Sequence, residues 1–124
     1  MAQTRPLRWT VREVPTRHGP ARLHSAGRAS AGGVTLVLGH GAGGGVEAPD
    51  LQALAAAVVA RGSRTVLVEQ PWRVAGRRLA PRPAVLDEAW LDALCHLRVR
   101  GPLVIGGRSA GARVACRTAA DVGA

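Results

Sequence analysis

The chain has 124 residues, 47% of them hydrophobic, and a formal charge of +9, which fits one small globular domain or part of a larger one and excludes a disordered segment. All 17 basic residues are arginine, spread from Arg5 to Arg117; with no Tyr or Phe and three Trp there is little to stack on bases, so no nucleic acid is expected as a partner. The longest near-apolar stretch, residues 53–60, is far short of a membrane span and the N-terminus carries no apolar signal core, so no membrane association and a cytoplasmic location are expected.

Residues 8–26 contain a His18-Gly19-Pro20 break between two loosely alternating segments, which predicts a hairpin. A Gly/Ala/Ser link over 27–33 leads to Val34-Thr35-Leu36-Val37-Leu38, whose apolar, β-branched character predicts a strand of a parallel sheet buried on both faces. Leu51, Leu54, Ala55, Val58 and Val59 then recur at helical spacing, with Asp50 ahead of them and Arg61-Gly62 behind. Thr65–Val68 predicts a second buried strand. A polar loop follows, and Leu86, Trp90, Ala93, Leu94 and Leu97 mark a second amphipathic helix, with Pro83, Asp87 and Glu88 near its start. Leu103–Ile105 predicts a third strand and residues 110–120 a third helix. The order, a hairpin and then β-α-β-α-β-α, predicts an α/β layered domain with right-handed crossovers. Residues 1–33 form its hairpin and link, and residues 34–124 its core.

Two glycine-rich turns carry the chemistry. Gly107-Arg108-Ser109-Ala110-Gly111 has a strand before it and a helix after it, the context in which G-x-S-x-G holds a nucleophilic serine on a strained turn. Ser109 then sits at the amino end of a helix, where the Ala110 amide and the helix dipole can face a developing oxyanion. The other turn, Gly39 to Gly45, follows the first buried strand and admits two readings. Gly39, Gly41 and Gly44 spell G-x-G-x-x-G, with Glu69 ending the next strand where a ribose-binding acid could stand. In that fingerprint the helix begins inside the glycine run, whereas here Val46-Glu47-Ala48-Pro49 intervene. The second reading is an oxyanion loop whose backbone N–H groups approach a carbonyl held over the serine.

The remaining candidates are weaker. His40 follows the first buried strand and, with Glu69, could be drawn as an improvised base and orienter for Ser109, although a histidine there more often braces its loop. His18, His24 and His96 suit solvated or structural roles. Trp72 and Arg73, in a basic loop at a strand's carboxyl end, are candidate substrate-binding residues. Cys95 and Cys116 have no Cys or His at metal-ligand spacing and read as buried free thiols, so no metal and no cofactor are expected.

The stretches LVLGHGAGGG, VEQPWRVAGRR and GGRSAGARVACR, taken together and in this order, resemble the small bacterial α/β-hydrolase-fold proteins called dienelactone-hydrolase-like or testis-expressed-protein-like hydrolases. The similarity runs from Arg12 to Thr118. It implies a three-layer α/β/α sandwich with a mostly parallel sheet, and hydrolysis of ester or similar acyl bonds in small molecules. By the same resemblance Ser109 matches the nucleophile, and Gly41, Ala42 and Ala110 match the backbone donors of the oxyanion hole. Family members continue with further strands, a catalytic acid and a late histidine. The chain is therefore expected to be the N-terminal portion of such a domain, its C-terminal strands missing and its activity weak or absent. A homo-oligomer or a sheet-completing partner would fit that expectation. The alternatives are a non-catalytic α/β binding module and, more distantly, a dinucleotide-binding domain.

Overall fold

The computed structural model describes residues 6–124; the first five residues of the 1–33 segment, Arg5 among them, lie outside the described residues. Strands β1 (Thr10–Val14) and β2 (Ala21–Ala26) form the predicted antiparallel hairpin, turned at Thr16–Gly19 by reciprocal backbone bonds of 3.2 and 3.1 Å. Then come β3 (Thr35–Gly39), helix α1 (Pro49–Ala60), β4 (Arg64–Glu69), a four-residue helix α2 (Pro71–Val74), α3 (Pro83–Leu94), β5 (Leu103–Gly107) and α4 (Ala110–Val122). The five strands lie in the order β1-β2-β4-β3-β5, with β3 parallel to both β4 and β5, and β2 antiparallel to β4.

Alternation along β3 and β4 sorts their side chains onto two faces, because successive residues of a strand point opposite ways. Leu36, Leu38 and Leu67 pack with Leu51 of α1 on one face. Val37, Val66 and Val68 face the other way, against Trp72 of α2, Leu86 and Trp90 of α3 and Val114 of α4. Helices thus cover both faces, giving the three-layer α/β/α sandwich. Trp90 has no exposed surface and is among the largest side chains of the core. Proline stands at the first position of α1, α2 and α3, where a missing N–H costs nothing and the fixed φ favours the helix.

Three expectations need correction. The polar loop after β4 contains α2, and its Trp72 is 5% exposed and part of the core. The second amphipathic helix stops at Leu94, so Leu97 and His96 lie in the turn beyond it. Cys95 and Cys116 are exposed free thiols, not buried ones. Cys95 caps the end of α3, and Cys116 is displaced from the buried face of α4 formed by Gly111, Val114, Ala115 and Thr118.

The hairpin is tied to α3 by charge. Arg17 reaches Asp92 through its backbone N–H and two guanidinium nitrogens and reaches Glu88 through the third, all at 2.9–3.0 Å. Arg117 of α4 grips Asp87 of α3 in a bidentate pair at 2.8 Å. Among the described residues, no helix is long and apolar enough to cross a membrane.

Candidate active site

The turn from β5 into α4 is built of small residues because three backbone segments converge there. A Cβ on Gly107 would lie 2.6 Å from the Gly111 carbonyl carbon and 2.7 Å from the Gly39 oxygen, and one on Gly111 would overlap the Gly39 carbonyl. Both glycines are therefore required by packing. Between them Ser109 adopts φ 53° and ψ −115° and is the one non-glycine residue at positive φ among the described residues. A conformation of this kind costs on the order of 1–3 kcal/mol and persists only where surrounding structure enforces it. Here the enforcing contacts are the bonds Arg108 N–H to Gly39 O (3.0 Å) and Gly111 N–H to Arg108 O (2.9 Å). The result is an exposed serine side chain at the amino end of a thirteen-residue helix.

The glycine loop lies against this turn. A Cβ on Gly41 would be 3.4 Å from both the Ser109 Cβ and the Arg108 carbonyl oxygen, so residue 41 and the serine are neighbours. No acceptor among the described residues takes the amide N–H of Gly41, Ala42 or Ala110. Free amides beside a serine can hold a negative oxygen. Helix α1 begins only at Pro49, so the loop does not form the tight glycine-to-helix turn on which a dinucleotide pyrophosphate rests.

His40 is buried and its ring is fully engaged: Nε2 accepts the Gln70 amide N–H at 3.0 Å, and Nδ1–H donates to the Gly41 carbonyl at 2.9 Å. Burial holds its pKa below the ordinary imidazole value, partly offset by the bond to Gly41, which keeps the ring neutral as this pairing requires. The ring offers no free nitrogen to Ser109. Glu69 does not orient it either, being paired with His24 at 2.8 Å. The improvised base and orienter drawn from the sequence is thus corrected to a loop brace and a separate β2–β4 pair.

Trp72 packs its ring 5.8 Å from that of His40 and, with Trp90, Ala110 and Val114, closes a cavity of only about 10 Å³ beneath the glycine loop. It supports the loop from below. Arg73 projects toward Glu47, between the glycine loop and α1, and meets it at 3.2 Å, while Asp50 at the start of α1 meets Arg108 of the serine turn at 2.9 Å. The Asp50–Arg108 pair was not foreseen from the sequence; an acid in a first helical turn is ordinarily assigned to the helix dipole, and only the fold brings the serine turn beside it. Among the described residues no cluster of His, Cys, Asp and Glu could hold a metal ion.

A family model described as an alpha/beta hydrolase domain matches residues 32–124. Among solved structures the chain is similar to a lidless serine hydrolase from Xanthomonas campestris, at 17% identity and a TM-score of 0.79, covering 98% of this chain and 60% of that one. It is also similar to a dienelactone hydrolase from Anabaena variabilis (19% identity, TM-score 0.72, 94% of this chain and 59% of that one). A third is an esterase from the archaeon Pyrobaculum calidifontis (27% identity, TM-score 0.65, 94% and 40%). No curated protein matches the chain significantly. The chain spans about 60% or less of the length of these structures.

Proposed function

The chain belongs to the alpha/beta hydrolase domain family, and from that premise we propose that Ser109 is the nucleophile of a serine hydrolase acting on ester or similar acyl bonds of small molecules. The observation that carries this reading is the strained, exposed Ser109 on the β5–α4 turn with Gly41 packed against it. Ser109 Oγ attacks the carbonyl carbon, and the amides of Gly41, Ala42 and Ala110 receive the oxygen as it gains negative charge. Attack also requires a base to take the hydroxyl proton. His40 is committed to its loop, and His18 and His24 are turned to Glu88 and Glu69. In α/β hydrolases the acid and the histidine follow the nucleophile in chain order, and residues 110–124 contain Asp121 and no histidine. The 124 residues therefore supply the nucleophile and the oxyanion donors, and not the base.

A fluorophosphonate probe tests the assignment. Labelling of the chain should be slow but specific, and absent in Ser109→Ala. Hydrolysis of p-nitrophenyl acetate should be weak, since loss of a triad partner removes several orders of magnitude in rate while oxyanion and binding effects leave a residue of roughly 10³–10⁴ over water. His40→Gln should leave the labelling of Ser109 detectable, because the ring braces the loop and takes no proton from the serine. Failure of any probe to label a folded chain would favour the alternative, a non-catalytic α/β binding module that keeps the turn for packing alone.

A further inference from the structure

The end of the sheet opposite Ser109 is lined with arginine. The amino ends of β3, β4 and β5, the 27–33 link and the α3–β5 connection enclose two adjoining grooves of about 490 and 460 Å³ that share Gly27, Arg64 and Arg98. Arg28 and Arg100 line the first, Arg8 and Arg12 the second. None of these six forms an ion pair among the described residues.

The distribution of acids explains why. The whole sequence holds eight carboxylate side chains. Seven of them, Glu13, Glu47, Asp50, Glu69, Asp87, Glu88 and Asp92, are paired with bases elsewhere on the molecule. The eighth, Asp121, lies at the end of α4, beside a different groove. Two of the guanidinium groups are also held in place: Arg12 donates to the His96 carbonyl, and Arg64 donates to the Arg98 carbonyl at 2.9 Å. Arg64 is half-buried, and burial together with the positive charge of Arg12 pulls its pKa down. Positive groups that repel one another, are fixed by carbonyls and have no internal counterion form a site that an anion would relieve.

We propose that this amino-end groove binds a small soluble polyanion carrying clustered phosphate groups. The planar guanidinium fork matches phosphate oxygens in pairs, and each groove has the size of a small-molecule site. Nucleic acid fits less well, because neither groove is lined by Trp, Tyr or Phe on which a base could stack.

Inorganic tripolyphosphate titrated calorimetrically into the chain, at an ionic strength of about 0.15 M where surface charges are screened, tests this. Saturable binding with one site per chain is expected. Arg12→Gln and Arg98→Gln should each weaken it by about tenfold or more, the loss of one hydrogen bond to a charged group. The double variant Arg77→Gln/Arg78→Gln, which removes more charge from the loop after α2, should bind as the parent does. Arg98 is exposed, and among the described residues only its backbone carbonyl, not its side chain, takes part in a hydrogen bond, so its substitution keeps the fold intact even if Arg12→Gln disturbs it. Absence of saturable binding would overturn the proposal, as would equal weakening by the 77/78 variant. Binding only to an oligonucleotide, or only to anionic lipid vesicles, would overturn it too.

Discussion

His40, in the glycine loop, and Ser109, on the turn packed against that loop, respond to substitution in opposite ways. The folded chain holds His40 neutral by burial, whereas the unfolded chain protonates it near the ordinary value of about 6.5. The unfolded state therefore binds the proton more readily. The contribution of His40 is complete above about pH 6.5 and is lost as the pH falls from there toward the lower native value. Melting scans from pH 7.5 down to 5 should show the midpoint falling in the chain and falling less in His40→Gln. A second loss belongs to a separate window. Hydrogen bonds from Arg17 hold the Asp92 carboxyl down to about 2, so that contribution is present above about pH 3.9 and disappears as the pH drops toward 2. At Ser109 the strain is itself a prediction. Glycine takes positive φ without a Cβ penalty, so Ser109→Gly should raise stability by about 1 kcal/mol while abolishing probe labelling. A lower melting point in that variant would mean the serine is not strained. Gly111→Ala should do the reverse and destabilise by about 3 kcal/mol or more, because the Gly39 carbonyl occupies the space.

Among the helices, α3 buries the most residues, and its Trp90 separates two effects. Trp90→Ala should cost about 3–5 kcal/mol through the cavity it leaves. Trp90→Phe should cost far less, since it also removes an indole N–H that is buried without a partner; denaturant unfolding distinguishes the two. The hairpin depends on α3 through Arg17. Arg17→Ala should speed hydrogen exchange at the β1–β2 amides and leave β3 and β4 protected. Much of this architecture was legible beforehand. The strands β3 and β4 announced themselves as short β-branched runs, α1 and α3 by their apolar spacing, and the serine turn by its two glycines. Other features were not, for physical reasons. Pro71-Trp72-Arg73-Val74 makes one turn of helix, too short to show a period. The position of β3 between β4 and β5 is set by crossovers that no local pattern records. The thiols were legible and misread: Cys95 falls outside the stripe of Leu86, Trp90 and Ala93, so its own spacing already placed it toward water.

For the molecule as a whole, the sheet's outer strand β5 has no neighbour beyond it among the described residues. Its Val104 is 47% exposed, and Leu103 and Ile105 are only partly covered. An uncharged edge with apolar side chains is a template for pairing with another chain. Light scattering across a concentration series should therefore detect association of the 124-residue chain, and Val104→Lys should reduce it. A monomer at all concentrations would show that the edge is protected by its twist and brevity. Strand β3, at the middle of the parallel strands, runs between the two ends of the sheet. Thr35 borders the arginine groove and Gly39 accepts the bond from the serine turn, so β3 is a rod of five residues at about 3.3 Å each, with a proposed site near either tip. Any coupling carried along that rod must be reciprocal. If tripolyphosphate alters the affinity of a reversible boronate for Ser109 by some factor, the boronate must alter the affinity for tripolyphosphate by that same factor and in the same direction.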